Sequence, residues 1–195
     1  MTKKLFAITG GIGSGKSSVL SILKEAGYHT LSSDQIVAEL YKTHKVKSLL
    51  KEMFPTAVSG KKRLTLNRAE ISKQVFVDKV KHELLTKTIT PLVLQEILKK
   101  AKRTTTPLFV EVPLLFECKY QDYFDGVIVV MRDKNARIES VKTRSNLTEQ
   151  EILARIKTQV DYDKLDTSPY IVIMNDCDII ALKDKVLKIT KELTE

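Results

Sequence analysis

No run of about 18 consecutive apolar residues occurs in the chain, so no transmembrane helix is expected. Met1-Thr2-Lys3-Lys4 leads straight into a short apolar run and a glycine loop. A signal peptide needs a longer apolar region and a small-residue cleavage site, so a cytoplasmic location is expected, with no membrane partner. Cysteine is scarce. Cys118 and Cys177 lie far apart and beside no histidine cluster, which excludes a disulfide framework and reads as reduced thiols. His29, His44 and His82 show no metal-ligand spacing. No basic stripe is interleaved with aromatics, so the net charge of +9 reads as solvated lysine-rich faces and not as a nucleic-acid surface. The lysines are spread widely, with short clusters such as Gly60-Lys61-Lys62-Arg63 and Lys99-Lys100-Ala101-Lys102-Arg103. No internal repeat or low-complexity segment stands out, and no obligate protein partner is implied.

What is present is a chain of 195 residues, 43% of them apolar, long enough for a sizeable core with room for an inserted subdomain. Residues 3–9 read as a buried strand, 10–15 as a loop and 16–26 as a helix stopped by Gly27. Residues 28–31 read as a second strand. A helix over 34–41 follows, with Ser33 as its N-cap. Residues 45–103 carry helical patterns and no convincing strand. Asn67-Arg68-Ala69-Glu70 resembles a capping box, and Thr90-Pro91 suits the start of a further helix. Short apolar runs return at 107–112 and 127–131, as buried parallel strands should. Helices follow near 134–145 and 149–160, the second opened by the capping box Thr148-Glu149-Gln150-Glu151 with Leu147 and Ile152 as its staple. A strand at 170–174 and a C-terminal helix close the chain. This order predicts an α/β fold with a central, mostly parallel, five-stranded sheet, and a helical insert over the carboxyl ends of the strands, where open sheets bind ligands.

The strongest signal is Gly10-Gly11-Ile12-Gly13-Ser14-Gly15-Lys16-Ser17, which matches G-x-x-x-x-G-K-[ST] between a strand and a helix. Backbone N–H groups of Gly11, Ile12, Gly13, Ser14, Gly15, Lys16, Ser17 and Ser18 would cradle the phosphates of ATP, helped by the positive end of the helix. Lys16 would reach the β- and γ-phosphates, and the Ser17 hydroxyl would hold Mg²⁺. The loop does not name the reaction. No Asn-Lys-x-Asp base-recognition motif of a GTPase is found, and helicases and transporter ATPases need larger chains. In "HTLSSDQIVAEL", Asp34 falls at the end of the second strand, which in a parallel sheet faces the phosphate loop. A carboxylate there can take the proton of an acceptor hydroxyl as it attacks the γ-phosphate. Capping a helix is the alternative role for Asp34.

The strings GGIGSGKS, S-S-D-Q-I-V-A (Ser32 to Ala38), LNRAEISKQVF (Leu66 to Phe76), VPLLFE (Val112 to Glu117), NARIESVKTR (Asn135 to Arg144), RIKTQ (Arg155 to Gln159) and IVIMND (Ile171 to Asp176) resemble, in order, those of dephospho-CoA kinases. VPLLFE is the most characteristic. The family pattern D-A-D-x-I-A has its first Asp replaced by Ser32 and its second matched by Asp34. Thr90 stands where the family usually has His, and Asn135 where it has Gln. The resemblance implies a P-loop three-layer fold and the reaction ATP plus 3′-dephospho-CoA giving ADP and CoA.

It also implies an organisation of one kinase domain over 3–195. The nucleotide-binding core would be 1–41, 106–133 and 165–195, the CoA-binding insert 42–105 and the lid 134–164. Asp34 would be the base, and Lys16 and Arg144 would act on the transferred phosphoryl group. Arg137, two helical turns before Arg144, would share its face and bind substrate. Arg68 would reach a substrate phosphate. Pro113, Leu114 and Leu115 would shape the acceptor pocket by packing and backbone. Glu111 would orient a magnesium-bound water, and the segment at Asn175 would lie by the adenine. The rivals are another nucleotide kinase of similar architecture, a basic nucleic-acid-binding ATPase and a non-catalytic nucleotide-binding regulator.

Overall fold

The structure is a computed structural model that describes residues 4–145 and 147–195. Its chain divides into two compact units, Met1–Ser32 with Ala101–Glu195, and Ser33–Lys100.

In the first unit, strands β1 (Leu5–Thr9), β2 (His29–Ser32), β5 (Leu108–Glu111), β6 (Gly126–Met131) and β7 (Ile171–Met174) form one sheet in the order β2-β5-β1-β6-β7. Every pairing is parallel, with Ile8 opposite both Glu111 and Ile128. All five residues of β1 are buried, as the central strand of a sheet covered on both faces must be. Side chains alternate along it. Phe6 and Ile8 join Phe109, Ile128, Val130 and Ile173 in a core covered by α1 (Lys16–Glu25), through Val19, Ile22 and Leu23, and by α8 (Ile179–Thr194), through Leu182 and Val186. Phe6 stacks on Phe109 at 5.1 Å between ring centroids, and Tyr28 meets Phe109 edge-on. The helix α1 ends where expected, because Gly27 takes φ 88° and lets Gly27 N–H and Tyr28 N–H return to the carbonyls of Lys24 and Leu23.

Helices α6 (Lys134–Arg144) and α7 (Glu149–Thr158) pack as a pair in the same unit. Asp133 caps α6 by accepting from the N–H groups of Asn135 and Ala136, and Thr148 and Glu151 form the expected capping box of α7. Ile138, Val141 and Ile152 make a small core with Leu147, Ile156 and Ile12 of the glycine loop.

The second unit holds α2 (Ser33–Leu40), α3 (His44–Met53), α4 (Arg68–Val77) and most of α5 (Lys79–Ala101). Three expectations differ here. Ser33 is the first residue of α2 and not a cap before it. A short antiparallel hairpin, β3 (Val58–Ser59) with β4 (Thr65–Leu66), stands where no strand was expected. Its strands are too short for an alternating pattern, and the basic run Lys61-Lys62-Arg63 is its exposed turn. Lys47 and Lys51 of α3 donate to the carbonyls of Leu64 and Gly60 and hold the hairpin.

No helix starts at Thr90-Pro91, because Pro91 lies inside α5. A proline there removes the N–H that the Lys87 carbonyl would receive. Lys87 is exposed, so water can take its place. The apolar face Ile89, Val93, Leu94 and Ile97 is buried on both sides of the proline and carries the helix through.

Candidate active site

The glycine loop leaves the carboxyl end of central β1 and runs into α1, as its sequence predicts. The ammonium of Lys16 is buried and donates to the carbonyls of Gly10 (2.8 Å) and Gly11 (3.0 Å), so it folds back over the loop. Ser17, in the first turn of α1, is exposed. The Ser14 hydroxyl is buried without a hydrogen-bond partner. Glu111 ends β5, level with Ile8 of β1 on one side and Ser32 of β2 on the other. Glu111 is therefore at the same end of the sheet as the loop.

A further set of side chains, of which the sequence marks only the segment at Asn175, and that for the adenine, holds the loop from behind. The Asn175 amide, just past β7, donates to the Ser14 carbonyl at 2.8 Å and is buried. Asn175 thus supports the phosphate loop itself. The Ile12 N–H donates to Gln159 Oε1 at 2.8 Å. The Tyr162 hydroxyl meets Thr9 Oγ1 at 3.1 Å. Burial pushes the Tyr162 phenol up to about 12, and the hydrogen bond with Thr9 offsets part of that rise. These partners lie far from the loop in sequence, so no periodicity announces them. The only signal was the presence of Gln159 and Asn175 in characteristic strings.

Arg137 and Arg144 differ sharply in setting. Arg137 is 4% exposed, pairs with Asp163 at 3.5 Å through Nη2, and keeps its Nε buried without a partner. Its guanidinium lies against Gly11. Arg144 is exposed in the last turn of α6. Leu115 is fully buried and packs in the core, whereas Pro113 and Leu114 are half-buried.

In the second unit, Asp34 is exposed in the first turn of α2, where the helix dipole favours a carboxylate. Arg68 is the first residue of α4, capped by Asn67, and its guanidinium lies 5.4 Å from the centre of the Tyr41 ring. Burial raises the Tyr41 phenol, and the Arg68 charge opposes the rise. Arg68 also lines an open groove of about 520 Å³ with Thr56, Ser59, Thr65 and Asn67.

The metal-binding chemistry on offer is oxygen only. Among the described residues, no group of three or more His, Cys, Asp or Glu side chains could hold an ion. Ser17 and Glu111 are hard oxygen donors of the kind magnesium accepts when substrate phosphates and water complete its shell. No helix is long and apolar enough to cross a membrane among the described residues.

Comparison with known proteins matches this architecture to a family. Residues 4–181 match the family model described as dephospho-CoA kinase. A dephospho-CoA kinase of Thermus thermophilus is 31% identical over 191 residues, covering 97% of this chain and 92% of that one. One of Streptococcus agalactiae is 29% identical over 97% of this chain and 99% of its own. A solved Thermus thermophilus structure superposes over 100% of both chains with 30% identity and a TM-score of 0.83. A parallel five-stranded sheet, a phosphate loop after its central strand and this near full-length match lead to one conclusion, that the chain belongs to the dephospho-CoA kinase family.

Proposed function

We infer that this kinase transfers the γ-phosphoryl group of ATP to the ribose 3′-hydroxyl of 3′-dephospho-CoA, giving ADP and CoA. The observation that carries the reading is the conjunction of the G-x-x-x-x-G-K-S loop on the central strand with the family match over residues 4–181. The loop residues Gly11 to Ser18 bind the ATP phosphates. Lys16 exchanges the Gly10 and Gly11 carbonyls, its present acceptors, for phosphate oxygens. That exchange of neutral acceptors for charged ones strengthens each bond. Ser17 and Glu111 would hold magnesium brought in with ATP, Ser17 through its hydroxyl and Glu111 through a water of the ion, and the bound ion would supply neutralising charge at the phosphates.

On the acceptor side, Asp34 takes the proton of the 3′-hydroxyl as that oxygen forms its bond to phosphorus. The bond between phosphorus and the β–γ bridging oxygen breaks, and ADP leaves with the electron pair. Arg144 stabilises charge on the transferred group, and Arg137 fixes the loop and the phosphates on it. Arg68, beside its open groove, binds a phosphate of the acceptor. Pro113, Leu114 and Leu115 shape the acceptor pocket. Residues 42–105 serve as the CoA-binding insert, and residues 134–164 act as a lid that closes on the substrates. The enzyme works in the cytoplasm on small molecules, with no nucleic acid, membrane or obligate protein partner.

The test is ADP release from Mg-ATP with 3′-dephospho-CoA, AMP, adenosine or single-stranded DNA, each alone, for the wild type and Asp34→Asn. Turnover with dephospho-CoA only, reduced about 10²–10⁴-fold in the variant, supports the reading. Turnover with another acceptor, or indifference to Asp34, overturns it.

A further inference from the structure

We propose that Glu117 and Gln159 act in series as positioning residues that hold the phosphate loop in its ATP-binding shape. The proposal rests on the reading that ATP occupies this loop. It assigns the end of the VPLLFE string a task on the ATP side, away from the acceptor residues that precede it.

The geometry is a relay through one peptide unit. Glu117 Oε1 accepts from the Val160 N–H at 2.9 Å. That N–H belongs to the peptide joining Gln159 to Val160. The side chain of Gln159 in turn receives the Ile12 N–H at 2.8 Å. Gln159 lies past the end of α7 with extended backbone, φ −90° and ψ 163°. The helix therefore does not dictate the orientation of this peptide, and the Glu117 carboxylate does. Ile12 is held at both ends, because its side chain packs with Ile138, Val141 and Ile152 between α6 and α7.

Glu117 is itself well footed. Its turn is closed by bonds from Cys118 N–H to the Leu114 carbonyl and from Tyr120 N–H to the Leu115 carbonyl, and Leu115 is fully buried. The neighbouring Phe116 ring packs against Tyr162 at 6.1 Å and Tyr170 at 5.1 Å. Tyr162 completes a second, parallel attachment through Thr9. The other carboxylate oxygen, Glu117 Oε2, is buried with no hydrogen-bond partner. Leaving a buried acceptor unpaired is a cost. Such a cost is retained where the group has a task that an apolar residue could not perform.

The experiment measures kcat and KM for each substrate in Glu117→Ala, Glu117→Gln, Gln159→Ala and the double variant Glu117→Ala/Gln159→Ala. Thermal melting runs alongside. Gln159→Ala should raise KM for ATP roughly 10-fold, as expected for a loop misplaced by a fraction of an ångström, with KM for dephospho-CoA changed less than 2-fold. Glu117→Ala should reproduce that pattern. Glu117→Gln keeps an acceptor oxygen for Val160 N–H and should recover most of the loss. Because the two residues act through one peptide, the double variant should be no worse than the poorer single one.

Multiplicative losses in the double variant overturn the relay. So does a Glu117→Gln protein as impaired as Glu117→Ala, or a KM effect on dephospho-CoA alone. Should Glu117→Ala fail to fold, Glu117→Met, which keeps the bulk of the side chain but offers the Val160 N–H no oxygen acceptor, takes its place alone and with Gln159→Ala. A KM for ATP equal to that of Gln159→Ala alone supports the series, and a further several-fold rise overturns it. A wild-type protein that does not bind Mg-ATP overturns the functional reading itself. Normal ATP kinetics in Gln159→Ala overturn only the positioning role.

Discussion

The guanidinium of Arg137 occupies the space that a side chain on Gly11 would need. The phosphate loop and α6 are thus fitted to each other through a missing Cβ. Gly13 is confined differently, since it has φ 78° and a Cβ there would strike the backbone carbonyl of Arg137. A flexible side chain can yield, whereas a helix backbone cannot. Gly11→Ala should therefore displace Arg137, lowering kcat/KM for ATP with a fall in melting temperature of only a few degrees. Gly13→Ala adds left-handed strain of about 1–2 kcal/mol to the clash and should lose stability first. Melting curves paired with ATP kinetics separate the two. Equal loss of stability in both would contradict the distinction.

Arg144 is exposed, and exposed substitutions away from caps and networks usually stay within about 0.5 kcal/mol of the parent. Arg144→Ala should therefore melt with the wild type while kcat falls about 10²-fold or more. Unchanged kcat would remove it from the catalytic set.

Tyr162 makes its hydroxyl contact inside the fold, and burial holds its phenol at about 12. A pKa raised in the folded state means stability that is fully present below the unfolded value near 10 and lost as pH rises towards 12. In Tyr162→Phe that alkaline loss should shrink, and Thr9 is left with an unpaired buried hydroxyl at a cost of roughly 1–3 kcal/mol. Absorbance titration near 295 nm should show one tyrosine in the wild type that ionises later than the rest and is missing from the variant.

At the acid end, Asp133, Glu151 and Asp166 all have their carboxyls held below the ordinary range, chiefly by backbone N–H groups of Ala136, Thr148 and Ser168 respectively. Lowered values mean stability that is present above the unfolded values of 3.8 for the aspartates and 4.5 for the glutamate and lost as pH falls through the folded ones. Asp133→Asn keeps a capping oxygen but cannot titrate. Its melting temperature should fall less steeply than that of the wild type below about pH 4. Thr148→Ala removes the α7 cap and should cost about 1 kcal/mol near neutral pH, and less once acid protonates Glu151, whose carboxylate accepts from the Thr148 hydroxyl.

The strands and the phosphate loop were legible because both are local signals. Short apolar runs sit where a parallel sheet needs them, and GGIGSGKS carries its own geometry. Capping pairs such as Thr148 with Glu151 were equally readable. The Thr90-Pro91 break misled because the apolar face of Ile89, Val93, Leu94 and Ile97 outweighs one missing hydrogen bond. The β3–β4 hairpin left no periodicity to detect. The residues behind the loop, Gln159, Tyr162 and Asn175, find their partners across 147, 153 and 161 positions of chain. Such partners become visible only once the fold brings them together.

The strand order also has a consequence for how the protein is made. β1 and β2 are not neighbours, because β5 lies between them and belongs to chain beyond the inserted unit. As the polypeptide leaves the ribosome, neither early strand can pair until about residue 111 has emerged. The contiguous helical unit, Ser33–Lys100, is by then complete and rich in local contacts, which form fastest. The sheet must assemble late, by closing loops of about a hundred residues. Until that moment the apolar run Leu5–Thr9, buried along its whole length in the finished sheet, stands without its partner strands and is open to aggregation.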